Sequence, residues 1–465
     1  MAKQRKRVDL RTRVESDDVV ERGRALRAQV PIDAHDHASE GGSRPDVLDF
    51  VDASNAGRLP HLIPMRIGRM IASPFAFFRG AAGLMAADLA DSPASGLTAQ
   101  LCGDAHAANF GLYGSPDGQI VMDINDFDET IPGPWEWDLK RLAASLVLAG
   151  REGGVSESGC VEAAEDAVKS YRRTIRGLAE VPFLRAWNAL PDESVLERVK
   201  ADELLDDFAK AAKKARRNTS AKVAAKWTEH LDDHETGISS RRFVEDPPIL
   251  TSVDESVAGA VVDGLERYAD TLRESRRNLI ARYSVADVAF RIVGTGSVGL
   301  RSYVALMLGN ADEVLVLQLK QAQPSSLAPF LSSRFTGPTP RHEGKRIVHG
   351  ARLVQTETDI MLGWTTIDGM PFIVRQFRNL KGDIDPTALE RDHLDDYGRL
   401  AGALLARAHS RSLDPRELSG YFEDDSDLDE VIGRYAVRYA DRTEADHETL
   451  VAAVRSGRVA ATDED

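Results

Sequence analysis

Apolar positions change their spacing along the chain. Residues 1–60 are polar with few periodic apolar positions, and DAHDHASEGGSRPD (33–46) reads as an irregular surface segment. His35 and His37 in it read as a solvated pair, because no further metal ligands sit at a useful spacing. From residue 61 to 150 the chain is denser in Gly, aromatics and apolar runs. LTAQLCGDAH (97–106) reads as a short strand entering a loop, and FGLYGSPDGQIVMDI (110–124) as a hairpin turning at SPDG. A Pro-rich bend, IPGPWEWD, leads into DLKRLAASLVLAGRE, which has helical periodicity with Gly150 near its end. Residues 155–283 read as mainly helical, with the basic run Lys210–Arg217 as a solvated helix face flanked by acids. After Asp287 the segments 285–308 and 313–322 are rich in β-branched residues and read as strands. DIMLGWTTIDGMPFIVRQF reads as a second hairpin turning at IDGM, residues 340–356 as a helix, and the chain beyond about 388 as helical.

Composition narrows the function classes. The chain has 465 residues, 42% apolar and 29% charged, which fits a globular protein of about two or three domains. Lys and Arg number 59 against 74 Asp and Glu, a net charge of −15. That argues against a nucleic-acid binder, which needs a basic footprint. It leaves room for an anionic ligand held locally by backbone N–H groups and a few cations. Two cysteines, Cys102 and Cys160, do not make a disulfide framework and suit a reducing compartment. The basic start lacks the apolar core of a signal peptide, and no apolar run is long enough to span a membrane. A cytoplasmic protein is expected, with no membrane partner.

Three segments carry candidate chemistry. GTGSVG supplies Gly294, Gly296, Ser297 and Gly299. In a dinucleotide fold such glycines open a helix; in a kinase-like lobe they turn a hairpin over nucleotide phosphates. The alternating LRSYVALML that follows favours a strand, and LQLK on the next strand offers Lys320 to α- and β-phosphates. A plain hairpin with a surface Lys is the bland alternative. CGDAHAANFG holds Asp104, His106 and Asn109, and the Asp-to-Asn spacing of five is that of a kinase-like catalytic loop. MDINDFDET brings Asp123, Asp126, Asp128 and Glu129 to a strand end, an oxygen-rich set suited to Mg²⁺ or Mn²⁺ unless it is only an acidic loop. A metallophosphatase also uses Gly-Asp-x-His, but its downstream His and Asn motifs are missing, and there is no Gly-x-Ser-x-Gly elbow for acyl transfer. Arg66, Arg69 and Arg79 could serve a phosphate or the acceptor, but read rather as ion-pair partners in an acidic protein.

SPFAFFRGAAGLM, CGDAHAANFGLY, DINDFDETIPGPWEWDLKRLAASLVLAGR, VGTGSVGLRSY, LQLKQA and VRQFRNLKG together resemble the bacterial family called domain of unknown function 2252. The resemblance covers roughly residues 20–450 and places the chain with protein-kinase-like, aminoglycoside- and choline-phosphotransferase-like folds. It implies Asp104 as catalytic base, Asn109 and Asp126 as metal ligands with Asp123 as the alternative, and Asp138 and His106 as supports of the loop. Glu343, or next Glu357, is the expected carboxylate partner of Lys320. In ordinary kinases the Gly-rich loop precedes the catalytic loop; here it follows, and LAGALLARAHSRSLDP (400–415) resembles the helix that usually comes before that loop. A circular permutation reconciles the order. The expected fold is α+β: a bilobal protein-kinase-like fold, circularly permuted, with helical additions. Its expected parts are an N-terminal extension (1–60), catalytic-loop and helical-lobe elements (61–283), a strand-rich nucleotide lobe (284–385) and returning C-terminal helices (386–465). The implied activity is ATP- and Mg²⁺-dependent phosphoryl transfer to a hydroxyl on an unknown small molecule or protein. Nucleotidyl transfer and a non-catalytic nucleotide-binding module stay open. The acidic surface hints at a cationic acceptor, as in the aminoglycoside and choline kinases.

Overall fold

The computed structural model describes residues 15–37, 44–188, 198–232, 239–292, 298–310, 313–335, 340–423 and 427–462. Among the described residues five α-helices precede the first strand: α1 (Ser16–Gln29), α2 (Val47–Ala53), α3 (Ile63–Ile71), α4 (Pro74–Arg79) and α5 (Ala82–Ala90). Much of the described N-terminal stretch is therefore helical, although its apolar positions show little periodicity. Asp46 caps α2 by accepting from Leu48 N–H at 2.8 Å. The segment between α1 and α2 is not wholly exposed. His35 is buried, with Nε2 2.7 Å from the Tyr421 hydroxyl, so the pair of histidines is not a solvated one.

Two short strand pairs build the floor of the later site. β1 (Thr98–Leu101) pairs with β4 (Ile131–Pro134), and β2 (Phe110–Gly114) forms the expected hairpin with β3 (Ile120–Ile124). The Pro-rich bend is thus in part a strand; Pro132 and Pro134 are tolerated because β4 lies at an edge of a two-stranded sheet. α6 (Trp135–Glu152) follows at once and is apolar or buried almost all round, the mark of a helix inside the core. It packs with α7 (Glu157–Glu180).

The middle of the chain holds α8 (Phe183–Asn188), α9 (Leu205–Ala215) and α10 (Ser220–Trp227). It also contains a β-hairpin, β5 (Thr228–Asp232) with β6 (Ser239–Phe243), and the strand β7 (Leu250–Ser252), before α11 (Glu255–Ala269) and α12 (Glu274–Ile280). Then come β8 (Ser284–Arg291), β9 (Ser302–Leu308), β10 (Val314–Gln321), α13 (Glu343–Val354), β11 (Gly363–Ile367), β12 (Met370–Gln376) and the short β13 (Gly382–Asp383). The larger sheet has the order β11-β12-β10-β9-β8-β7, all antiparallel. It draws β7 and the covering helix α11 from chain before residue 284. β13 instead pairs with β2, on the other side of the site.

β10 shows why the site lies where it does. Its residues alternate between faces: Leu315, Leu317 and Leu319 join the core under α11, while Gln318 and Lys320 face a cavity. Both faces are covered, so the strand is buried nearly end to end. Three helices close the chain: α14 (Arg391–Ser410), α15 (Pro415–Phe422) and α16 (Asp427–Arg455). α14 packs along α7, and α1 lies on α15, where Gly23 has no room for a Cβ: one would stand 2.0 Å from the Glu417 carbonyl oxygen.

Burial pushes the His35 imidazole down to about 3, with Lys140 adding to the shift. In the unfolded chain it protonates near 6.5. Its contribution to stability is therefore complete above about pH 6.5 and lost as the pH falls towards 3. Tyr421 also donates to the Val30 carbonyl at 2.8 Å, so His35→Phe leaves it a partner. The melting midpoint of His35→Phe should fall less than that of the wild type between pH 7 and pH 5; equal slopes would contradict this.

Candidate functional site

One face of α6 holds the loop that follows β1. Asp138, Arg141 and Ser145 stand at i, i+3 and i+7, so they share that face. The Asp138 carboxylate accepts from Cys102 N–H at 2.8 Å and Gly103 N–H at 3.1 Å. Arg141 Nε donates to Asp104 Oδ1 at 2.5 Å and its Nη2 to the Phe78 carbonyl at 2.7 Å. Ser145 Oγ accepts from Ala107 N–H at 2.8 Å. Gly103 is required at the turn: its φ is +85°, and a Cβ would stand 2.4 Å from the Glu129 carbonyl oxygen. α14 supports the same loop from below. Tyr397 donates to the Ala107 carbonyl at 2.6 Å, and His409 Nε2 lies 3.3 Å from Asp138 Oδ2.

The loop presents Asp104, His106 and Asn109 to the cavity. Asp104 Oδ2 is 3.7 Å from His106 Nε2. Burial pushes the His106 imidazole down to about 4; Asp104 opposes this, and Arg79 and Arg141 add to it. Asn109 Nδ2 donates to the carbonyls of Asp104 at 2.9 Å and Asp126 at 3.2 Å. Both amide hydrogens are thereby used, which leaves Oδ1 as the acceptor.

Asp126 and Asp128 come from the loop after β3 and meet Lys320 across the cavity. Lys320 Nζ is 3.7 Å from Asp126 Oδ2 and is bonded to Asp128 Oδ2. Burial tends to raise the Asp126 carboxyl, but Lys320, Arg375 and Lys381 prevail and hold it at about 2. Burial and the neighbouring Asp126 raise Asp128. Burial would lower Lys320, yet the two carboxylates raise it, so the ammonium stays charged. Asp123 is elsewhere. It is buried off the cavity, accepting from the backbone N–H of Ile124 at 2.9 Å and Thr356 at 3.2 Å. Of the two carboxylates considered for a metal, the cavity presents Asp126.

Glu343 does not pair with Lys320. It accepts from Arg346 Nε at 2.5 Å, its i+3 neighbour on α13, while Lys320 already has its carboxylates. Arg346 in turn donates to the carbonyls of Thr130 at 2.7 Å, Asp128 at 2.8 Å and Gln323 at 2.8 Å, bracing the acidic loop. Gly294, Gly296 and Ser297 lie outside the described residues. Gly299, with φ +88°, accepts from Leu59 N–H at 2.7 Å, and Arg58 packs on it.

The cavity has a volume of about 810 Å³, ample for a small-molecule ligand. Among the described residues it is lined by eight Arg or Lys and six Asp or Glu, an excess of cations in a chain of net −15. Burial raises the carboxyls of Asp128, Glu129 and Asp359, which moves the lining further towards positive. Lys381 is reached by solvent through the cavity yet enclosed by protein, and that enclosure with Arg375 pushes it down to about 8. Such a lining suits a polyanion. No three His, Cys, Asp or Glu side chains converge as a metal cage among the described residues. Asn109 Oδ1 and the Asp126 carboxylate are hard oxygen donors and could hold Mg²⁺, which needs only one or two protein ligands beside substrate phosphates.

Sequence reasoning missed Arg58, Arg141, Arg346, Arg375 and Lys381. A signal was present for two: RQFRNLKG sets Arg375, Arg378 and Lys381 three apart across the end of a strand. Arg66 and Arg79 are not ion-pair partners of any carboxylate among the described residues; both line the cavity, and the Nε of each is buried without a hydrogen-bond partner.

A family model described as an uncharacterized protein conserved in bacteria, domain of unknown function 2252, matches residues 58–453. The chain belongs to that family. No curated protein and no solved structure matches it.

Asp138→Ala strands two buried backbone N–H groups and should destabilise the fold by roughly 2–4 kcal/mol. Denaturant unfolding measures this, and a loss below about 1 kcal/mol would mean the loop is held without Asp138.

Proposed function

We propose that this member of the bacterial family is an ATP- and Mg²⁺-dependent phosphotransferase acting on a hydroxyl, with a kinase-like bilobal arrangement in permuted chain order. One observation carries the reading. Lys320 from the larger sheet meets Asp126 at 3.7 Å in the cavity that also holds Asp104 and Asn109. A phosphotransferase needs these four residue types around one set of phosphates.

The roles follow from the donors. The ammonium of Lys320 has three N–H groups, and those not engaged by Asp128 are available to phosphate oxygens. Arg375 and Lys381 add positive charge beside it. Mg²⁺ held by Asn109 and Asp126 would neutralise charge on the phosphates. Asp104 is fixed through Oδ1 by Arg141, which leaves Oδ2 to orient the acceptor hydroxyl. In the transfer, the hydroxyl oxygen bonds to the γ-phosphorus and the bond from that phosphorus to the β,γ-bridging oxygen breaks. ADP leaves with the electron pair, and the hydroxyl proton passes to Asp104. The surplus cations are oriented before the reaction and favour the charge that spreads over the transferred group.

MgATP should raise the melting midpoint of the wild type by mass action, and chelating Mg²⁺ should remove most of that shift. Asp126→Asn and Lys320→Met should each weaken MgATP binding at least tenfold while remaining folded. Wild-type protein that does not bind MgATP, or variants that bind it as well as wild type, would overturn the reading. Transfer of label from the α rather than the γ position of ATP would replace phosphoryl by nucleotidyl transfer.

A further inference from the structure

Cations stand near both ends of the cavity, one set by Asp126 and another by Asp104. Lys320, Arg375 and Lys381 act on Asp126. On the other side Arg141 bonds Asp104, and Arg79 acts on His106, which stands 3.7 Å from Asp104 Oδ2. Arg66 lines the same cavity as Arg79 and Asp104, and its Nη2 reaches the carbonyl of Gly80, the residue after Arg79, at 3.5 Å. Its Nη1 is held by Asn55 Oδ1 at 2.8 Å.

Arg66 is only 1% exposed, and a guanidinium that deep normally has a carboxylate. It has none among the described residues, and its Nε is unpartnered. Burial pushes Arg66 down to about 9, and Arg58 adds to the shift. Arg58 itself is committed to the carbonyls of Ser54 and Val298. Arg79 likewise lines the cavity with its Nε unpartnered, and guanidinium groups without a carboxylate in one cavity wall favour an anion there.

We propose that Arg66 and Arg79 form a second anion subsite, beside Asp104, that binds the acceptor, and that the acceptor is a hydroxyl compound carrying its own phosphate or carboxylate. The proposal rests on the phosphotransfer reading. It reverses the expectation of a cationic acceptor, because the outer surface is acidic while the wall next to Asp104 is not. Two anions, the nucleotide and the acceptor, then occupy one cavity on either side of the transferred group. The Asp126 cations take the first and the Asp104 cations take the second.

The test uses the whole chain, inorganic phosphate as the anion probe and calorimetry as the readout. With Mg²⁺ and a non-hydrolysable ATP analogue saturating, the wild type should still bind phosphate. Arg79→Gln should weaken that binding at least tenfold, Arg79→Lys less, and neither should alter affinity for the analogue. Arg66→Gln, checked by its melting curve, should repeat the loss. No phosphate binding in the presence of the analogue, or an Arg79→Gln defect in analogue affinity instead, would overturn the subsite. If the analogue does not bind the wild type, the phosphotransfer reading fails by itself. Phosphate binding lost in Arg79→Gln but kept in Lys320→Met would then still support the subsite, and the reverse would overturn it.

Discussion

An ammonium on a central strand must be neutralised where it sits, since desolvating it without a partner is prohibitive. Lys320 is 3% exposed in β10, and its carboxylates come from another sheet, on the loop after β3. That requirement fastens the large sheet to the helical body. Arg346 makes a second fastening between the same parts through the carbonyls of Thr130 and Asp128, so the acidic loop cannot drift without stranding both cations. The charges of the cavity wall are consequently held in place before any ligand arrives, which suits the proposed transfer.

Net charge and local charge have opposite signs here. The chain carries −15, but its cavity concentrates arginine and lysine. Inside a concave wall of low dielectric such cations reinforce one another towards an incoming anion. Outside, the acidic surface acts on solubility and association. Overall charge therefore says little about the ligand, and an acidic surface does not by itself point to a cationic acceptor.

Some of this was legible from residue order and some was not. Both hairpins were, because SPDG and IDGM mark turns between alternating segments, and α6 was, because its period is strong. α1 was not: its apolar stripe is poor, and it is held by close packing of Gly23 on α15, a contact made only in the fold. β4 was hidden by its prolines, which a two-stranded edge tolerates. In the site, Asp104, Asn109, Asp126 and Lys320 could be named because their spacings carry chemistry. Arg141 could not, since nothing local marks a cation that folds back across 37 residues onto Asp104. Glu343 was misassigned because a partner three residues along the same helix captured it.

The central claim is that Lys320 and the Asp126 loop enclose the phosphates of one nucleotide. A crystal structure of the chain with Mg²⁺ and a non-hydrolysable ATP analogue tests it most directly. The claim predicts phosphate oxygens within hydrogen-bond distance of Lys320 Nζ and the metal on Asn109 and Asp126. A nucleotide bound away from Lys320, or a cavity left without it at saturating analogue, would contradict it.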